Sequence, residues 1–246
     1  MTATPAPGPT SQRIYDGIES GIYWIAVRWL MVFNVGALIY VGLPFLAPVF
    51  MHFGLEWPAR TIYTLYSPLC HQFGYRTFYL FGDQFFYPAQ QFAQLTGIDP
   101  YSTTGRFQAK AFLGNEFMGW KVAYCARDVA IYFGIFLAGL IYGVARQRGP
   151  VKPLHLVLYA LLGVAPIALD GFSQLFSQPP FNLIPLREST PELRVLTGSL
   201  FGIMSVWLAY PYVEETFEEI RQDIEYKRQQ RLAPATNPAP DTPAAD

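Results

Sequence analysis

The sequence predicts an all-α fold, a polytopic membrane bundle of about four transmembrane helices with a long extracytoplasmic insert. Three observations predict it. Only 14% of the 246 residues are charged and 52% are hydrophobic, whereas a soluble domain carries about a quarter charged residues. Four apolar runs approach the roughly 20 residues that cross about 30 Å of hydrocarbon. Mean hydropathy is only +0.20, so sizeable polar extensions must accompany the spans. The net charge of −1 offers no basic surface for nucleic acid.

The elements follow in order. Residues 1–21 read as a flexible arm with an interfacial segment around Ile14–Trp24. Pro5, Pro7, Pro9, Asp16 and Glu19 are incompatible with a basic n-region running into an apolar secretory core. Residues 22–213 form the membrane domain. Leu30–Phe50 is the first span, with Trp24 and Trp29 as interfacial anchors, and Pro44 and Pro48 blur its end. Val129–Ala145 is the second. Leu156–Phe176 is the third, apolar except for Asp170 and Gln174. Val195–Val213 is the fourth, with Tyr210 and Tyr212 at its far interface. Residues 214–231 carry a charged helical pattern, with Asp223 and Lys227 at i,i+4 and Glu218 and Arg221 at i,i+3. This helix is a solvated extension or a dock for a membrane-protein partner. Residues 232–246, rich in Pro and Ala, are expected to be disordered.

Orientation follows from the short loops. The loop after the second span carries Arg146, Arg148 and Lys152 and no acid, which places it in the cytoplasm. An even span count then puts both termini there, in a multi-pass cell-membrane protein. The loops 51–124 and 177–194 face outward. Gly139 and Gly143, and Gly198 and Gly202, are spaced for close helix approach.

With this topology Cys70, His71, Arg76, Cys125, Arg127, Asp128, Asp170, Gln174, Arg187 and Arg194 gather at the outer end of the bundle as a polar pocket. Ionisable side chains at membrane depth face a bundle interior or a wet cavity. Cys125 with Asp128, and Asp170 with Gln174, each share a helix face. Ser67-Pro68 reads as an N-cap and first helical position, which places Cys70 in a first turn that favours its thiolate. Adjacent Cys70 and His71 then diverge by about 100°, so both bind one metal only if the pair is non-helical. With two cysteines, both outside, a structural disulfide competes with a metal.

Ser67-Pro68-Leu69-Cys70-His71-Gln72 followed by Arg76-Thr77-Phe78 resembles the Cys-His-Gln…Arg-Ser-Phe signature of the membrane family called domain of unknown function 2085. Cys125-Ala126-Arg127-Asp128 with Ile131-Tyr132-Phe133-Gly134 is similar to its Cys-Ala-Arg-Cys…Ile-Tyr-x-Gly element. Leu169-Asp170-Gly171 with Gln174, then Arg187-Glu188-Ser189-Thr190, Arg194 and Thr197-Gly198, resemble its closing motifs. The resemblance runs from about Ser67 to Gly202 and implies no activity. It differs in two places. Asp128 stands where the family has a third cysteine, and a short link in the family becomes the aromatic, Gln-rich insert 79–124.

Three functions follow. One is a non-catalytic accessory or structural role, held by a Cys70–Cys125 disulfide and docking through the insert 79–124 or the tail 214–231. Another is a metal- or redox-active site at Cys70, His71, Cys125 and Asp128, whose mixed donors suit a zinc-like ion. The third is a site for an anionic, lipid-like substrate, with Arg76, Arg127, Arg187 and Arg194 as its cations. No phosphate loop, nucleophile elbow or His-Glu-x-x-His element is present in the sequence.

Overall fold

The computed structural model describes residues 9–232; residues 1–8 and nearly all of the tail expected to be disordered lie outside it. The helices are α1 (Pro9–His52), α2 (Glu56–Tyr66), α3 (Ala89–Thr96), α4 (Thr103–Ala111), α5 (Ala126–Ala145), α6 (Leu156–Leu158), α7 (Ala165–Ser177) and α8 (Pro191–Leu232). The strands are β1 (Thr77–Leu80), β2 (Gly114–Asn115) and β3 (Gly119–Cys125). Four helical stretches are long and apolar enough to cross a membrane, within Gln12–His52, Ala126–Arg148, Leu156–Ser177 and Pro191–Leu232. The fold is thus the expected four-span helical bundle. The insert adds a small sheet that the all-α reading lacked.

Two helices outrun their spans. The 44 residues of α1 and 42 of α8 measure over about 60 Å at 1.5 Å per residue, twice the hydrocarbon thickness. Helix α1 starts at Pro9, so the expected flexible arm is helical from that point and the segment Ile14–Trp24 belongs to the same helix. A kink at Arg28 (φ −115°, ψ 15°) interrupts it, while Pro44 and Pro48 remain within it. The charged segment 214–231 continues α8 without a break.

The chain divides into two compact units. One comprises residues 9–32 with 212–232 of the described chain. Its two segments run antiparallel: Trp29 Nε1 donates to Glu214 at 3.1 Å, Tyr23 to Glu225 at 2.8 Å, and Arg228 to Glu19 at 2.9 Å. The tail's cations therefore satisfy acids of the chain's own N-terminal helix.

The other unit, residues 33–211, contains the remainder. Helices α5 and α8 meet at glycines. A Cβ at Gly198 would press on the Arg127 carbonyl and one at Gly202 on the Ile131 carbonyl, so only glycine permits this approach. Gly139 receives Asn34 of α1 in the same way. In the third span Tyr159–Val164 winds as a π-helix between α6 and α7. Pro166, which lacks the N–H that would reach back to Leu162, follows it. Leu156, Leu161, Leu169 and Phe172 lie exposed on this span, as lipid-facing side chains do.

The sheet has the order β1-β3-β2, antiparallel throughout, with Thr77 opposite Cys125 and Tyr79 opposite Lys121. Thr77 Oγ1 donates toward the carbonyls of Val122 at 2.7 Å and Tyr124 at 2.9 Å. The insert has its own core of Tyr75, Tyr79, Tyr87, Phe92, Ala109 and Met118. Because β3 runs into α5 with no intervening residue, the sheet fixes where the second span begins.

Candidate functional site

The loop carrying Cys70 is not a helix start. Ser67 is the C-cap of α2, Pro68 follows as it often does past a helix end, and residues 70–73 are irregular. The N-cap expected at Ser67 is therefore corrected, and the thiolate-favouring position passes to Cys125, which is the N-cap residue of α5. Two buried polar side chains hold the loop. The Gln72 amide donates to the carbonyls of Tyr63 and Ala123, both at 2.9 Å. Lys121, fully buried in β3, donates to the carbonyls of Gln72 and Lys110, both at 2.7 Å. Gln72 adopts φ +53°, a conformation that costs a non-glycine residue about 1–3 kcal/mol and is kept where surrounding contacts enforce it.

These bonds bring Cys70 against the start of α5. The Cys125 backbone N–H donates to Cys70 Sγ at 3.2 Å. Asp128 lies one turn on, and ligand atoms of Cys70, Cys125 and Asp128 all fall within 4.8 Å of one another. Both cysteines are buried, free thiols. The neighbouring Cys125 side chain and burial push the Cys70 thiol up, while the Cys70 side chain draws Cys125 down. His71 is exposed and lies outside the three residues whose ligand atoms converge. Its imidazole is pushed down, first by partial desolvation against its neighbours and then by Arg76 and Lys110.

A second cluster adjoins the triad along the chain. Asp170, 4% exposed, accepts from Arg127, from Arg187 at 2.9 Å and from Ser189 at 2.7 Å. Glu188 accepts from Arg194, from Arg76 at 2.8 Å and from Gln178 at 3.2 Å. Gln174, on the Asp170 face of α7, accepts from Arg194 at 2.9 Å. Arg194 also donates from Nε to the Ser189 carbonyl at 3.3 Å, which ties the two carboxylate centres together. Sequence reasoning missed Glu188 as a hub and missed Arg106, which donates to Gln178 at 3.1 Å. It also missed Lys121 and Gln72 as supports of the loop. A loop acid flanked by Arg187 and followed by Arg194 six residues on was the available signal for Glu188.

The fold and these clusters define a multi-pass membrane protein whose bundle end carries thiols, carboxylates and arginines. Residues 111–208 match the family model described as "Predicted membrane protein (DUF2085)", the family that the motifs resemble. The match begins after the Cys70 motif, so it covers less of the chain than the motif succession from Ser67. An uncharacterised protein of Methanocaldococcus jannaschii is 26% identical over 189 residues, covering 75% of this chain and 92% of that protein. No solved structure matches the chain.

Proposed function

We propose that this chain is a metal-binding membrane protein that holds a thiophilic divalent ion, zinc by the nature of its donors, at Cys70, Cys125 and Asp128. One observation carries the reading: two thiols and a carboxylate converge within 4.8 Å, and the N-terminus of α5 favours the thiolate form of Cys125. Tetrahedral zinc with bonds of about 2.3 Å to sulfur and 2.0–2.2 Å to oxygen sets its donors about 3.6–3.8 Å apart, within a small adjustment of these side chains. Three protein ligands leave a fourth position open, the pattern of zinc sites that bind water or a further ligand. Free thiols favour this reading over the disulfide. Cobalt titration of the detergent-purified protein tests it. Thiolate-to-cobalt absorption is expected in the wild type and lost in Cys125→Ser; its absence from the wild type contradicts the reading.

The basic loop Arg146–Lys152 supports cytoplasmic termini and an outward-facing site. A second, partner-docking role is supported by Phe81, Phe85, Phe107 and Phe117, all exposed on the insert. Crosslinking from Phe107 in cells tests it. A single recurrent protein adduct supports docking, and lipid adducts alone oppose it.

A further inference from the structure

The arginine network is not balanced. Arg76, Arg106, Arg127, Arg187 and Arg194 outnumber the carboxylates around them, Asp170, Glu188 and, beside Arg127 and Arg194, Asp128. Arg194, paired with Glu188, is 3% exposed and Gln174 5%, and positive charge buried in excess of its counter-charges is costly.

Hydrogen bonding leaves the same deficit. Arg76 Nε, Arg127 Nε and Gln174 Nε2 are buried and have no hydrogen-bond partner among the described residues. The Gln174 amide cannot turn to relieve this, because Arg194 already donates to its oxygen and would then meet an NH₂ group. Buried donors without acceptors are rare in native proteins. Here all three are donors, and all belong to side chains of one cation-rich network.

We infer that this network is a binding site for a phosphate-type oxyanion. A tetrahedral anion supplies several acceptor oxygens to guanidinium forks and offsets the excess positive charge. None of its donors is a proposed metal ligand, so the site stands apart from the metal reading. Free phosphate and the phosphate headgroup of an anionic lipid present the same chemistry.

The test compares wild type with Gln174→Glu, which keeps the acceptor for Arg194 but replaces the unpaired donor with a carboxylate that repels an oxyanion. Melting is followed in detergent with inorganic phosphate against chloride at equal ionic strength. It is followed in parallel in nanodiscs of phosphatidylcholine with and without phosphatidylglycerol. Wild type is expected to be stabilised by one probe, and the variant to bind that probe roughly tenfold more weakly or worse, about 1.4 kcal/mol. A response to inorganic phosphate assigns the site to the free ion; a response to phosphatidylglycerol alone assigns it to a lipid headgroup. No response to either, or an equal response in Gln174→Glu, overturns the inference.

Discussion

The Cys125 backbone N–H donates to Cys70 Sγ at 3.2 Å, a bond that joins the N-cap of a spanning helix to a loop 55 residues earlier. It holds because β1 and β3 pair with Thr77 opposite Cys125, so sheet register, not helix packing, aligns the thiols. Replacing Thr77 with Val removes the hydroxyl that bridges Val122 and Tyr124 and is expected to loosen the pair. Maleimide labelling of Cys70 and Cys125 under native conditions should speed up, whereas unchanged labelling would deny the sheet this role.

Asp170 is predicted to anchor the arginine network. Asp170→Asn removes the charge facing Arg127 and Arg187, and loss of a buried partner costs about 3–5 kcal/mol. A clear drop in melting temperature in detergent is expected, and an unshifted midpoint would remove Asp170 from the network.

Lys121 gives a pH signature. Burial pushes its ammonium down to about 7 from 10.5, so between those values the unfolded chain binds more protons than the folded one. Stability then rises with pH, by at most about 1.4 kcal/mol per unit. The Cys70 thiol, raised by the neighbouring Cys125 side chain and by burial, acts in the opposite sense only as pH climbs past its ordinary value of 9.0. Unfolding midpoints between about pH 7 and pH 8.5 should therefore rise in wild type and flatten in Lys121→Met. Parallel slopes would contradict a depressed lysine.

Much of the bundle was legible because apolar length and helical period are local properties. The spans and the pairs Glu218–Arg221 and Asp223–Lys227 follow from spacing alone. The Cys70 loop was not legible, because Ser-Pro suits a helix start as well as a helix end. Strand β3 hid its nature because it is buried almost throughout and so lacks the alternation that marks a strand with one wet face. Arg106 joins the site through Gln178, which donates in turn to Glu188, a long-range arrangement that no spacing rule encodes.

Asp128 stands where the resembled family carries cysteine, which makes Asp128→Cys informative. A third thiolate is expected to tighten zinc roughly tenfold or more, since soft ligands favour it. Competition with a chromophoric chelator measures this, and unchanged binding would place Asp128 outside the coordination sphere.

The most direct measurement of the central claim is metal content with thiol counting on the wild-type protein purified in detergent without added metal or chelator. The metal-site account predicts close to one zinc-like ion per chain, with both thiols free after denaturation in chelator without reductant and the ion lost in Cys125→Ser. A metal-free protein whose two cysteines become countable only after reduction would contradict it and establish the disulfide instead.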